Sequence, residues 1–252
     1  MMALPRTVAA ETLDRLAEND PAAMHARRDL QRIHRLMGTR GIMARALQGV
    51  ADSRPAAGPL RLLELGAGDG SLMLGVAGAL AAHWPAVEIT LLDRQNLVTS
   101  ATLDGYARLG WAASTQVVDV FDWALGHAPS AQGPSARWDV IVASLFLHHF
   151  EGPALAALLA AIESCARRFL ACEPRRARLA LAGSHLLGAI GANAVTRGDA
   201  VLSVHAGFQG RELGELWPGD GSFWALREYS AGLFSHCFFA ERSGPGGAAA
   251  WP

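Results

Sequence analysis

Cysteine is scarce in this chain of 252 residues: three in all, Cys165, Cys172 and Cys237. Their number is odd, their spacing suits no metal, and each sits in an apolar segment, so neither a disulfide framework nor a metal site is expected. They read as reduced core thiols, packed as small hydrophobes. A basic block is missing as well. With a net charge of −1, nothing offers the footprint that a phosphate backbone requires, and nucleic acid is not expected as a partner. No apolar h-region follows Met1, and Glu11 and Asp14 come early, so no secretory signal is read and a cytoplasmic location is expected. An uncharged run covers residues 179–196. It falls short of the roughly 20 residues of a membrane span and carries Ser184, His185, Asn193 and three glycines; it reads as a buried or substrate-facing helix. No internal repeat is found.

What the chain does have is 51% hydrophobic content, enough for one sizeable core in one domain. Its most informative stretch is Leu62-Leu63-Glu64-Leu65-Gly66-Ala67-Gly68-Asp69-Gly70-Ser71. Three apolar residues around one acid read as a buried parallel strand. The glycines that follow let the backbone turn sharply and approach a ligand before a helix opens near Ser71. A dinucleotide fingerprint needs G-x-G-x-x-G, with its third glycine packing helix on strand. Here Ser71 stands in that place, which disfavours a nucleotide-linked oxidoreductase.

Around this stretch the chain alternates. A strand at residues 60–65 leads to a helix at 71–83, a strand at 87–92 to a helix at 96–109, a strand at 115–118 to a short helix near Phe121, and a strand at 138–143 to a helix at 153–166. A fifth strand covers 169–172. Such alternation demands a parallel sheet with right-handed crossovers, a doubly wound α/β domain. Two more strands, at 223–229 and 233–240, follow each other across Ser230-Ala231-Gly232 and read as an edge hairpin. Ahead of the alternation, residues 9–47 read as helical, interrupted by Gly38 and Gly41. Residues 52–59 read as a linker and 126–136 as a surface loop; 243–252 form a Gly/Ala/Pro tail expected to be disordered.

The Glu64 to Gly70 stretch resembles motif I of the class I S-adenosylmethionine-dependent methyltransferases, and the resemblance spans about residues 60–242. It implies a Rossmann-like, mostly parallel seven-stranded sheet whose last strand is antiparallel, covered by an N-terminal helical lid at 1–52. It also implies S-adenosyl-L-methionine as cofactor. Carboxylates that would repel a pyrophosphate suit a cofactor bearing an ammonium and a sulfonium. Glu64, Gly66, Ala67 and Gly68 would form the first contact. Asp93, with Arg94 beside it, ends the second strand and would accept hydrogen bonds from both ribose hydroxyls; a helix cap is the alternative. Asp119 would accept from the adenine amino group and Val120 would present its amide to the ring; Asp119 also suits a plain turn acid. Arg32, His34, Arg35 and Arg40 would be carried by the lid, unless they form a solvated face of a packing helix.

The fourth strand runs into Ser144-Leu145-Phe146-Leu147-His148-His149-Phe150. This segment resembles the Leu-His-His segment of small-molecule methyltransferases of the ubiquinone/menaquinone group. Ser144 and Leu145 would line the methionine moiety, and His148 and His149 would lie near the transferred methyl. A phenol is mostly protonated at neutral pH, and a histidine near its ordinary pKa of about 6.5 could take that proton during attack. His148 is the expected base and His149 the brace of the turn. Glu173 is a second candidate. Gly188, Gly191, Asn193, Arg197, His205, Phe208, Trp217 and His236 occupy segments that would define the acceptor pocket, and the apolar run suggests a greasy acceptor.

The expected function is methyl transfer to a small apolar phenolic, polyketide or quinol-type metabolite of secondary metabolism, with O-methylation favoured. C-methylation of a quinone-type ring and a non-catalytic cofactor-binding accessory protein are the alternatives, and a homodimer is left open.

Overall fold

The structure is a computed structural model that describes residues 4–51, 58–126, 138–218 and 223–243. Most of the expected linker at 52–59, surface loop at 126–136 and tail at 243–252 lies outside the described residues. Seven strands form one sheet in the order β3-β2-β1-β4-β5-β7-β6. They are β1 (Leu60–Leu65), β2 (Val87–Asp93), β3 (Trp111–Val117), β4 (Val140–Ser144), β5 (Arg168–Pro174), β6 (Trp224–Ala231) and β7 (Ser235–Arg242). Neighbouring pairs from β3 to β5 are parallel, and β7 is antiparallel to both β5 and β6. The doubly wound seven-stranded expectation holds. β1 lies between β2 and β4, so the direction of winding reverses there, and a crevice opens beyond the carboxyl ends of β1 and β4.

The central strands are apolar on both faces, as buried parallel strands must be. Leu63, Leu65, Ile141, Ala143 and Phe169 pack on one side with α5 (Val120–Leu125) and α6 (Gly152–Cys165). Leu62, Ile89, Leu91, Val140 and Leu170 pack on the other with α2 (Thr39–Leu47), α3 (Ser71–Leu80) and α4 (Ser100–Arg108). All three cysteines are buried and free.

Four of the differences from the expected boundaries have local reasons. β3 starts at Trp111 rather than 115 because it is an edge strand, mostly exposed, with Ala, Ser and Thr where a hydrophobic run would have signalled it. α4 starts at Ser100 because Thr99 caps it, its side chain accepting from the Thr102 amide. The β6–β7 turn falls at residues 232–234, with Gly232 at φ 64°. The uncharged run is not one helix. It contains most of α7 (Arg178–His185), a 3-10 turn at Leu186–Ile190, and the start of α8 (Ala194–Ala206). Gly191 at φ 81° ends the turn, and Asn193 caps α8 by accepting from the Thr196 amide. No helix among the described residues is long and apolar enough to cross a membrane.

Ahead of the sheet, residues 4–20 hold no α-helix or strand, only a 3-10 turn at Leu13–Arg15 and a turn at 18–19, so the helix expected from residue 9 begins only at Pro21, where the Asp20 cap and a first-turn proline start it. α1 (Pro21–Met37) opens on the Asp20 cap and closes at Gly38, φ 68°; Gly41, expected as a second break, lies inside α2. This N-terminal segment is tied down across the fold. Arg6 donates to the Ala206 and Phe150 carbonyls at 2.8 Å each, and the Thr12 and Leu13 amides donate to Asp199 at 2.8 and 2.9 Å.

Candidate active site

The loop after β1 is built for close approach. Gly66, Gly68 and Gly70 have φ of 66°, 56° and 70°, a region that side chains disfavour. A Cβ on Gly66 would stand 2.2 Å from the Phe146 ring, whereas one on Gly68 would meet nothing within 4 Å. Glycine at 66 thus admits Phe146, and glycine at 68 leaves backbone bare to the crevice. The Ala67 amide donates to the Leu92 carbonyl at 3.0 Å, and the Tyr106 hydroxyl donates to the Gly70 carbonyl at 2.9 Å.

Carboxyl groups crowd this loop. Glu64 is 3% exposed and its Oε2 has no partner. Burial, then the charges of Asp69 and Asp93, push its carboxyl well above the usual range, the direction that a cation beside it would reverse. Asp93 accepts from the Gly68 amide at 2.8 Å through Oδ2 and from the Gln95 amide at 2.9 Å through Oδ1. It braces two turns, and each oxygen keeps a second lone pair for a ligand. Asp119 caps α5 by accepting from the Phe121 amide at 2.8 Å, the alternative reading of this acid, while still lining the crevice. Arg94 turns toward the N-terminal segment, where it bonds the Asp14 carbonyl and pairs with its carboxylate at 3.3 Å.

These groups surround a cavity of about 290 Å³. Every expected cofactor residue lines it: Glu64, Gly66, Ala67, Gly68, Asp93, Arg94, Asp119, Val120, Ser144 and Leu145. His34 is the one expected lid residue that joins them; burial lowers its pKa to about 4. Arg32 instead pairs with Asp29 at 3.3 Å, Arg35 donates to the Gln31 carbonyl, and Arg40 lies over Gly75. The lining residues α1 does supply are Arg27, Leu30, Gln31 and His34. Gln31 donates to Asp69 at 2.6 Å.

At the end of β4 the chain turns through Leu145, the non-glycine residue with positive φ (49°) among the described residues. Such backbone strain persists only where the surroundings hold it, and Glu173 does the holding. Fully buried at the end of β5, it accepts from the Phe146, Leu147 and His148 amides at 3.0 to 3.3 Å and meets His148 Nδ1 at 2.9 Å. Glu173 therefore does not face a substrate; it fixes the turn.

The two histidines differ from expectation. His148 is 2% exposed and held at both nitrogens, by Glu173 and by Glu11 at 3.3 Å from Nε2. Burial alone would lower its pKa, but the bonds to Glu11 and Glu173 and their charges outweigh it and raise the value to about 9. It is charged at neutral pH and is no base near pKa 6.5. His149 is partly exposed, with Nδ1 3.4 Å from Asp14. Burial, then the neighbouring His148 cation, lowers its pKa, so its ring is neutral. Glu11 is ionised: burial opposes this, but the bond from His148, the His148 charge and the Ser203 hydroxyl prevail. Glu11, His148 and His149 offer ligand atoms within 4.8 Å of one another, a grouping the expectation of no metal overlooked. A proton on each nitrogen of His148 competes with any such ion, because an imidazolium has no lone pair to give.

A second cavity, about 310 Å³ and mostly apolar in its walls, lies between α1 and α7–α8. The two cavities share Glu11, Leu13, Leu30, Leu145 and Ser203. None of the eight residues expected to define an acceptor pocket lines either one. Asn193 caps α8, Phe208 and Trp217 are core, Trp217 stacks on Phe169, and His236 bonds Glu228 at 2.8 Å. Glu11 and Ser203 went unrecognised because they lie 192 residues apart, with no local motif at either.

No family model and no curated protein matches the chain in sequence. Solved structures do match in shape. The plantazolicin methyltransferase BpumL in complex with SAH superposes with a TM-score of 0.59 at 12% identity, over 89% of this chain and 92% of that one. The plantazolicin methyltransferase BamL, in complex with a triazolic desmethylPZN analog and SAH, gives 0.59 at 13% identity, over 92% and 94%. The chain has the α/β fold of these methyltransferases over nearly its whole length.

Proposed function

We propose that the protein is an S-adenosylmethionine-dependent methyltransferase that methylates a hydroxyl of a small apolar metabolite. The observation that carries this reading is the buried Glu64 carboxyl, partnerless at Oε2, lining one cavity with a bare glycine backbone and Asp93. A buried acid with no partner is costly unless a ligand supplies one, and the ammonium of a methionine moiety would. Two similar folds were solved with SAH, the demethylated product of that cofactor.

In this reading Glu64 and the Gly66–Gly68 backbone hold the amino-acid end, Asp93 the ribose, and Asp119 and Val120 the base; Arg94 keeps the N-terminal segment in place. Bound S-adenosylmethionine supplies an electrophilic methyl on a sulfonium. The chain aligns an acceptor oxygen behind that methyl and keeps water out. His149, neutral and facing the cavity, takes the acceptor proton as the new carbon–oxygen bond forms. His148, charged between Glu11 and Glu173, holds the turn and keeps its neighbour neutral. The N-terminal segment and α1 act as a lid.

The test is incubation with methyl-labelled cofactor and a panel of apolar phenols and quinols. Label on oxygen, abolished in His149→Ala, is expected. Label on ring carbon would overturn the oxygen assignment, and no transfer to any acceptor, without binding of SAH, would overturn the reading itself.

A further inference from the structure

Acids are scarce on one face of the molecule. α1, α7, the 3-10 turn at Leu186–Ile190 and α8 hold two between them, Asp29 and Asp199, and both are buried. Asp29 accepts from the Asn193 amide and the Thr196 hydroxyl, and Asp199 from the Thr12 and Leu13 amides. The arginines of the same elements point outward. Arg28, Arg32 and Arg35 are exposed along α1, Arg178 opens α7, and the exposed Arg197 of α8 lies against Gly188 of the 3-10 turn. Arg32 reaches Asp29, and Arg35 donates to the Gln31 carbonyl. Arg28, Arg178 and Arg197 have no acidic partner among the described residues. The chain as a whole carries a net charge of −1, so this positive field belongs to the face that the fold assembles and not to a basic block in the sequence.

Aliphatic side chains stand among these cations. Leu36 follows Arg35 and lies one turn beyond Arg32, Leu179 follows Arg178, and Leu186 and Ile190 belong to the turn that Arg197 approaches. They are 68%, 55%, 68% and 46% exposed in that order. Leu36, Leu186 and Ile190 also line the second cavity, so α1 and the 3-10 turn set them around one opening.

Unpaired cations interleaved with exposed aliphatic groups call for a partner that is anionic at its surface and apolar just beneath it. A nucleic acid supplies the charge but no apolar layer, and α1, α7, the 3-10 turn and α8 contain no Phe, Tyr or Trp on which bases could stack. An anionic bilayer supplies both layers within the depth that a surface-bound helix reaches. We propose that this face is a peripheral docking surface for an anionic lipid bilayer. The arginines of α1, α7 and α8 lie among the headgroups, and Leu36, Leu179, Leu186 and Ile190 dip below them. The protein lies on the membrane without spanning it, and the second cavity opens into the lipid interface instead of bulk water. This attachment does not depend on which reaction the crevice carries, so it stands or falls apart from the methyltransferase reading.

Co-sedimentation of the full chain with extruded vesicles tests the docking face. Vesicles of equimolar phosphatidylglycerol and phosphatidylcholine are expected to bind the protein, less so as salt is added, and vesicles of phosphatidylcholine alone to bind it far more weakly. Arg28→Ala with Arg178→Ala is expected to lower partitioning roughly thirtyfold, about fivefold for each arginine. Leu36→Ser with Leu186→Ser should lower it at least about tenfold through the lost apolar insertion. Leu125→Ser, equally exposed but on α5, should change nothing. All five positions are exposed, and thermal melts verify that each variant is folded. Equal attachment to the two kinds of vesicle, or attachment to the mixed vesicles that neither double variant weakens, would overturn the proposal. Failure to bind the mixed vesicles would overturn it as well, and capture of poly-glutamate through Arg28 and Arg178 in their place would assign the face to an acidic protein.

Discussion

The two halves of the crevice are made in opposite ways. On the β1–β2–β3 side the ligand-facing groups come from short contiguous stretches: Glu64 to Gly68 in one turn, Asp93 at the end of one strand, Asp119 at the cap of one helix. On the β4–β5 side they come from segments far apart in sequence. Glu11 meets His148 across 137 residues and Ser203 across 192. The first half presents backbone and one unsatisfied acid to whatever enters, while the second ties its charged groups to each other before any ligand arrives. In the proposed reading, the half that holds one fixed cofactor is written as local loops, whereas the half that selects an acceptor and moves a proton uses charges brought together by the fold.

The sharpest way to break the comparison lies in the second half. His149→Ala is expected to lower kcat by about 10²–10⁴-fold, the usual worth of a general base, with cofactor affinity nearly unchanged. His148→Gln is expected to act chiefly through stability and turn geometry. Steady-state kinetics on both variants decide the assignment; full turnover in His149→Ala would return the role of base to His148 or remove it.

Glu173→Ala comes next. It strips three backbone amides and a buried imidazolium of their acceptor, and removing one partner of a buried pair is worth about 3–5 kcal/mol. Denaturant unfolding should register that loss. A change below about 1 kcal/mol would mean that the Leu145 turn does not depend on Glu173.

A third effect is pH dependence. His148 rises from about 6.5 unfolded to about 9 folded, so its stabilisation is complete below pH 6.5 and disappears as pH climbs through 9. The span corresponds to a contribution on the order of 3 kcal/mol. Thermal melts from pH 6 to 9.5 should show a decline that Glu11→Gln makes smaller; a melting temperature flat over that range would contradict the clamped, charged His148.

The same contrast explains what the sequence makes legible. The sheet, its antiparallel β7, the glycine turn and the acids after β2 and β3 follow from patterns within a few residues. Edge strand β3 and the break in the uncharged run do not, because hydrophobic periodicity does not report small residues on an exposed edge or the caps Thr99 and Asn193. The histidine pair is legible as a position but not as chemistry. Which of the two is a base depends on Glu11 and Glu173, and neither contact is visible in local spacing. Arg32, Arg35 and Arg40 share a basic segment with His34, yet only packing against α3 and the crevice decides that His34 turns inward.

The smallest of these effects reaches the central claim most directly. Titration of the protein with SAH by calorimetry is expected to show one site, with Asp93→Ala weakening it by about 2 kcal/mol for lost hydrogen bonds to a charged acceptor, and no binding of NADH. No heat of binding for SAH, or tight NADH binding that Asp93→Ala leaves unchanged, would contradict the account.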